Sequence, residues 1–160
     1  ARAAIPAVLP LLERDKTRAV ALYTLGHMGA AEAFQPAMEA LDSERELVRL
    51  RATQALGRIG DPGAIEPLIH KLDDDLYHVR YAAEDALVAF GKASIAPLAA
   101  AYGRASDRAR PHLLEALAGL GGERAFGWAR EFYKNDNALV RDAILGSLKT
   151  QLTKRMQDPP

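Results

Sequence analysis

Between residues 47 and 75 the apolar positions fall at helical spacing twice in succession. Val48, Ala52, Ala55, Leu56 and Ile59 share one side of a 3.6-residue period, while Arg49, Arg51, Gln54 and Arg58 lie largely on the other, which predicts an amphipathic helix. Gly60 ends it, because glycine takes the left-handed backbone conformation of a helix terminus without a Cβ clash. Asp61 and Pro62 then read as an N-cap and first helical position, and Ile65, Leu68, Ile69 and Leu72 mark a second amphipathic helix. The acidic run Asp73, Asp74, Asp75 turns the chain onward.

The same two-helix pattern returns over residues 17–43, 78–105 and 108–135, giving four full units with 47–75. An isolated second helix within residues 1–15 precedes them, where Ala4-Ile5 and Leu12 match Ala64-Ile65 and Leu72, and an isolated first helix over 139–155 follows. The period is carried by Arg18, Arg49, Arg80, Arg110 and Arg141, spaced by 31, 31, 30 and 31 residues. Seven residues after each comes Leu25, Leu56, Leu87, Leu117 or Leu148, and four after the first four of these come Gly29, Gly60, Gly91 and Gly121. Self-similarity of this length means stacked supersecondary units sharing one core, not a closed globule around a cleft. The fold expected is all-α, a solenoid of helical-hairpin repeats of about 31 residues forming one domain over residues 1–160, with ten helices and no strand.

Composition narrows the function without naming it. Lys plus Arg and Asp plus Glu both number 21, so the net charge is zero, and no clustered basic footprint for nucleic acid or an anionic membrane stands out. With no cysteine, disulfides and thiolate metal sites are excluded, while the compartment stays undetermined. No apolar run approaches the roughly 20 residues of a membrane helix. The last helix has the polar outer face a free solenoid end needs, with Lys149, Thr150, Gln151, Thr153, Lys154 and Arg155; the first, apolar around Ile5, Val8 and Leu9, does not. Further repeats are therefore expected before Ala1, making this a part of a larger chain.

The run from Val48 to Ile69 resembles the HEAT-like repeat of the phycobilisome-lyase type in its order of valine-arginine (Val48-Arg49), alanine-leucine-glycine (Ala55-Leu56-Gly57), glycine-aspartate-proline (Gly60-Asp61-Pro62) and alanine-x-x-proline-leucine (Ala64 to Leu68). The resemblance covers nearly the whole chain and implies a right-handed α-α superhelix, with first helices on the convex layer and second helices lining a concave, partner-binding surface. It departs from the pattern where Gly91-Lys92-Ala93 lacks the Asp-Pro cap and where Trp128 stands in the place of Pro36, Pro67 and Pro97. Tetratricopeptide and ankyrin readings fail on period and signature residues. The scaffold carries docking proteins, bilin lyases, hydroxylases and DNA glycosylases, so function rests on sites.

The arginine column reads as a structural ladder, each guanidinium bonding an acid or carbonyl of the inter-repeat turn, with Asp15, Asp42, Asp75, Asp107 and Asp136 as acceptors. An acid beside every arginine cancels the field a polyanion would need. His27, His70, His78 and His112 precede Met, Lys, Val and Leu, which contradicts the His-Glu pairs of the iron-dependent hydroxylases, and no pair has metal-ligand spacing, so no metal is expected. No phosphate loop, nucleophile or positioned acid-base pair is present, so neither catalytic residues nor a cofactor are expected. The basic segment Arg104, Arg108, Arg110, His112 is broken by Asp107 and Glu115 and lacks a stacking platform, which disfavours nucleic acid.

The partner-binding residues expected on the second-helix ridge are Gln35 and Glu39, Glu66 and His70, then Ala100, Tyr102, Trp128 and Glu131. The ridge is polar early and apolar late, where Ala96, Ala99, Ala100 and Ala101 lie beside Tyr102, Trp128, Phe132 and Tyr133. Trp128 reads either as an exposed anchor or as core filling beside Ala99 and Gly127. The reading is a non-enzymatic scaffold for another protein or peptide. The alternatives are a bilin lyase or isomerase subunit and, below it, a DNA-binding module.

Overall fold

The computed structural model describes residues 2–121; the second helix of the fourth repeat and the helix expected over 139–155 lie outside them. The chain divides into two compact units, residues 1–90 and 91–160. Among the described residues there are eight α-helices and no strand.

In the first unit, α1 (Ile5–Val8) is flanked by 3-10 turns Arg2–Ala4 and Leu9–Glu13. Then come α2 (Asp15–His27), α3 (Phe34–Ala40), α4 (Glu46–Ile59), α5 (Ile65–Lys71) and α6 (Tyr77–Ala89). Helices α2, α4 and α6 are the first helices of successive repeats and pack in sequence, α2 on α4 and α4 on α6; the second helices α3 and α5 pack on α4 and α6. Leu22, Leu25, Val48, Leu56, Leu68, Leu72, Val79 and Leu87 are fully buried between these layers. Each such side chain contributes about 1.5–3 kcal/mol relative to exposure, which is why short helices of marginal intrinsic stability hold together.

The repeat punctuation is set by backbone chemistry. Gly29, Gly60 and Gly91 have φ of 59°, 74° and 61°, the left-handed conformation that lets the first helix stop and the chain reverse. Among the described residues each second helix of a full repeat begins with a 3-10 turn, Ala31–Ala33, Pro62–Ala64 or Gly91–Ser94. Asp61 caps the middle one, its Oδ1 accepting from the Gly63 N–H at 2.8 Å with Pro62 in the first position. The Gly91 turn forms without such a cap, over a buried Ser94.

First helices approach closely because the seam is made of small residues. A Cβ placed on Gly26 of α2 would lie 2.7 Å from Ala55 Cα, and one on Gly57 of α4 would lie 2.6 Å from Ala86 Cβ. Real side chains do not pack at such distances, so these glycines fix the spacing of the layer.

In the second unit, α7 (Ile95–Tyr102) packs on α8 (Ala109–Leu120), with Leu98, Leu113, Leu114 and Leu117 fully buried. No helix among the described residues is long and apolar enough to cross a membrane.

Candidate functional site

The arginine column lies at the inter-repeat turns. Arg18 Nε donates to Leu12 O at 2.7 Å, Arg49 Nη1 to Ser43 O at 2.9 Å and Arg80 Nη1 to Asp74 O at 2.7 Å, in every case a carbonyl six residues upstream. A guanidinium suits this place because its rigid fork of donors meets carbonyls that the turn leaves without helical partners. Asp75 and Asp107 accept from Arg80 and Arg110 as expected, while Asp15 and Asp42 bind other cations. Arg49 holds Asp74, in the following turn, through Nε to Oδ2 at 2.9 Å and Nη2 to Oδ1 at 3.2 Å. Asp74 Oδ1 also accepts from the Leu76 N–H at 3.0 Å, so one nearly buried carboxylate opens α6 and ties it to α4. Asp42 binds Lys71 instead, at 2.7 Å, and Asp15 gives its carbonyl to Arg45. Asp75 accepts from Arg80 through its carbonyl at 3.0 Å, and Arg110 pairs with the Asp107 carboxylate at 3.0 Å. Arg141 and Asp136 lie outside the described residues.

Of the residues expected on the second-helix ridge, Gln35 and Glu39 on α3, Glu66 and His70 on α5 and Ala100 on α7 are exposed. Tyr102 is not: it is 7% exposed, so it does not belong to the expected apolar patch. Standing at the last position of α7, the ring turns inward, with the Arg110 guanidinium 6.0 Å from its centroid, and so belongs to the packing of α7 on α8. Ala101 is buried with it. Trp128 and Glu131 lie outside the described residues.

Around α3 and α5 the exposed ridge is acidic. Glu32, Glu39 and Glu66 are exposed there, while Lys71, the only lysine or arginine on these two helices, is neutralised by Asp42. The Lys71 ammonium holds the Asp42 carboxyl below its ordinary value, first through the hydrogen bond and then through its charge.

A different surface runs along the first helices. Val20, Tyr23, Leu47, Tyr77 and Tyr81 are large apolar residues left exposed there. The Tyr23 ring of α2 lies under two guanidinium groups of α4, Arg51 at 4.7 Å and Arg58 at 5.8 Å, and beside His27 at 4.0 Å. Between α4 and α6 the surface opens into a hollow of about 530 Å³, floored by Gly57, Ala82 and Ala86 and walled by Leu50, Gln54, Arg58, His78, Tyr81 and Asp85. Partial desolvation, followed by the negative charge of Glu84, pushes the Asp85 carboxyl up. Reading along the chain missed this hollow; the signal was in the register, since 31 residues after Tyr23 stands the smaller Gln54.

With this geometry in place the likeness to known proteins is specific as to fold. The HEAT repeats family matches residues 5–88, more than half of the chain. This protein belongs to the HEAT-repeat family. Among curated proteins none matches it. Solved structures similar to this HEAT-repeat chain include two designed armadillo repeat proteins, each 18% identical to it. One, in complex with the peptide (KR)4, has a TM-score of 0.57 and an alignment covering 92% of this chain and 81% of its own. The other has a TM-score of 0.52, with coverage of 89% and 80%. At that identity they show a shared helical-repeat fold.

Proposed function

We propose that this HEAT-repeat chain is a non-enzymatic docking module that takes an extended basic peptide or protein segment along its second helices. The observation that carries this is the acidic ridge of α3 and α5, where Gln35, Glu39, Glu66 and His70 are exposed and Lys71, the only lysine or arginine of the two helices, is paired with Asp42. Such a ridge attracts Lys and Arg by charge, and its amide and carboxylates give register to an extended segment. The (KR)4 peptide bound by the designed armadillo protein supports a partner of this class on a helical-repeat scaffold. The family resemblance assigns the second helices to the concave side, and Ala100, Trp128 and Glu131 are the positions it assigns there later in the chain.

Fluorescence anisotropy with a labelled (KR)4 peptide tests this directly. Binding should be salt-sensitive and weaken about tenfold when Glu39→Gln and Glu66→Gln are combined. Equal affinity for an acidic peptide of the same length would sink the reading. The phycobilisome-lyase likeness has its own test, since a spectral shift on mixing with free bilin would move the chain to the lyase class.

A further inference from the structure

The geometry points to a second binding site, on the first helices: the hollow between α4 and α6 receives a basic side chain of a protein partner, an arginine or lysine, with its cation at Asp85. This goes beyond the second-helix ridge and does not depend on it.

The floor of the hollow is Gly57, Ala82 and Ala86, with Leu50 and Ala89 at its margins. Smooth apolar floors of this kind suit the methylene stems of Arg and Lys, which lie along apolar surface while their charged heads reach a polar group. The volume, about 530 Å³, is of the size that holds a small ligand or a few side chains.

Charge selects the occupant. Asp85, the only carboxylate among the residues lining the hollow, makes no hydrogen bond or ion pair among the described residues. One turn earlier on α6 stands Tyr81, whose ring stacks on Tyr77 at 6.2 Å and forms an aromatic wall of the hollow. The positive groups of the walls are otherwise disposed. Arg58 leans to the Tyr23 ring on α2, 5.8 Å away, and His78 lies against Tyr77 at 5.9 Å. Gln54 accepts from Arg51 Nη1 through its Oε1 at 2.9 Å, leaving its amide N–H groups to donate to a main-chain carbonyl of the occupant. An anionic occupant would face Asp85 with Arg58 turned toward the Tyr23 ring, whereas a cation gains the Asp85 carboxylate.

The test is an amide NMR titration of the chain with N-acetyl-arginine amide, its lysine counterpart, and the norleucine and glutamate analogues. The arginine and lysine compounds should shift Gln54, Gly57, Tyr81, Ala82, Asp85 and Ala86, and the other two should not. Asp85→Asn, with its spectrum otherwise unchanged, should weaken the response about tenfold or more. Gln54→Tyr, which fills the hollow without touching the carboxylate, should abolish it. Shifts confined to α3 and α5, a stronger response to the glutamate analogue, or an undiminished response in Asp85→Asn would each overturn the assignment. Glu39→Gln with Glu66→Gln should leave these shifts intact, so failure at the ridge and failure at the hollow are read separately.

Discussion

At the seam between α2 and α4, Gly26 lies against Ala55; 31 residues on, at the seam between α4 and α6, Gly57 lies against Ala86. The two seams share this close approach and differ in side chains at equivalent places. Ser43 stands in the first where Asp74 stands in the second, and Tyr23 stands in the first where Gln54 stands in the second. Ser43 Oγ and Asp74 Oδ1 each accept from the N–H two residues on, at 3.2 and 3.0 Å, so both open the next helix. Only Asp74 also holds the arginine of the helix before it. Tyr23 spans its seam beneath Arg51 and Arg58, whereas Gln54 leaves its seam open. A repeat thus keeps its backbone spacing fixed and varies its binding and its ties through single side chains at equivalent places.

The largest effect expected is on the tied seam. Asp74→Ala leaves Arg49, only 16% exposed, without its carboxylate and removes the turn acceptor of Leu76, and should cost about 3 kcal/mol. Ser43→Ala removes only a turn bond and should cost about 0.5–1 kcal/mol. Urea unfolding of the two variants checks the difference; equal costs would mean the ion pair adds nothing to the turn. Next come the features the seams share. Gly26→Val and Gly57→Val each force a side chain into a neighbouring helix, at about 2 kcal/mol apiece by overpacking, which outweighs the gain of about 1 kcal/mol from removing a helical glycine. A neutral result at either position would show that its seam can open without loss.

How far these differences were legible depends on where each partner sits. Gly29, Gly60 and Gly91 were readable as left-handed stops because the constraint is local to the backbone. Leu25, Leu56 and Leu87 were readable as core because helical periodicity places them there, and all three are fully buried. The pairing of Arg49 with Asp74 was not, since Asp42, seven residues upstream, and Asp75 look equivalent to it until the turn geometry chooses a carboxylate 25 residues downstream. Tyr102 reads as a surface aromatic at the end of an alanine-rich helix, and only the packing of α7 on α8 turns it inward. Exposed Tyr23, Tyr77 and Tyr81 fall among polar positions, where sequence reading looks for solubility rather than for a site. The hollow itself is made by a small residue where the preceding repeat has a large one, a signal visible only when repeats are aligned against each other.

Exchanging that pair sharpens the contrast further. Tyr23→Gln gives up two cation–π contacts and should cost about 1 kcal/mol, while Gln54→Tyr adds an aromatic at a partly exposed place and should change stability by no more than about 0.5 kcal/mol. The opened seam of Tyr23→Gln would still refuse a basic side chain, because the position equivalent to Asp85 there is Gln54, which carries no charge. An NMR response to the arginine derivative at Gly26 and Ala55 in that variant would show that volume, not the carboxylate, governs occupancy.

The smallest effects distinguish the seams by the sign of their pH dependence. Asp42, held by Lys71, has a carboxyl lowered in the fold, so its pairing stabilises the folded state above the unfolded carboxylate value of about 3.9 and is lost as pH falls through the lower folded value. Asp85 is raised by desolvation and by Glu84, so its ionised form costs stability at neutral pH, and that cost disappears as pH falls through the raised value. Asp42→Asn should therefore be the less stable variant at pH 7, by no more than about 0.5 kcal/mol after solvent screening, and should converge on the parent in acid. Asp85→Asn should be slightly more stable than the parent at pH 7 and should lose that advantage at a higher pH than the one at which the Asp42 difference closes. Thermal melts of the three proteins from pH 7 to pH 3 give both signs at once. If Asp85→Asn instead destabilises at neutral pH, the carboxylate already has a partner within the fold, and the hollow between α4 and α6 has no unmet charge with which to draw a basic side chain.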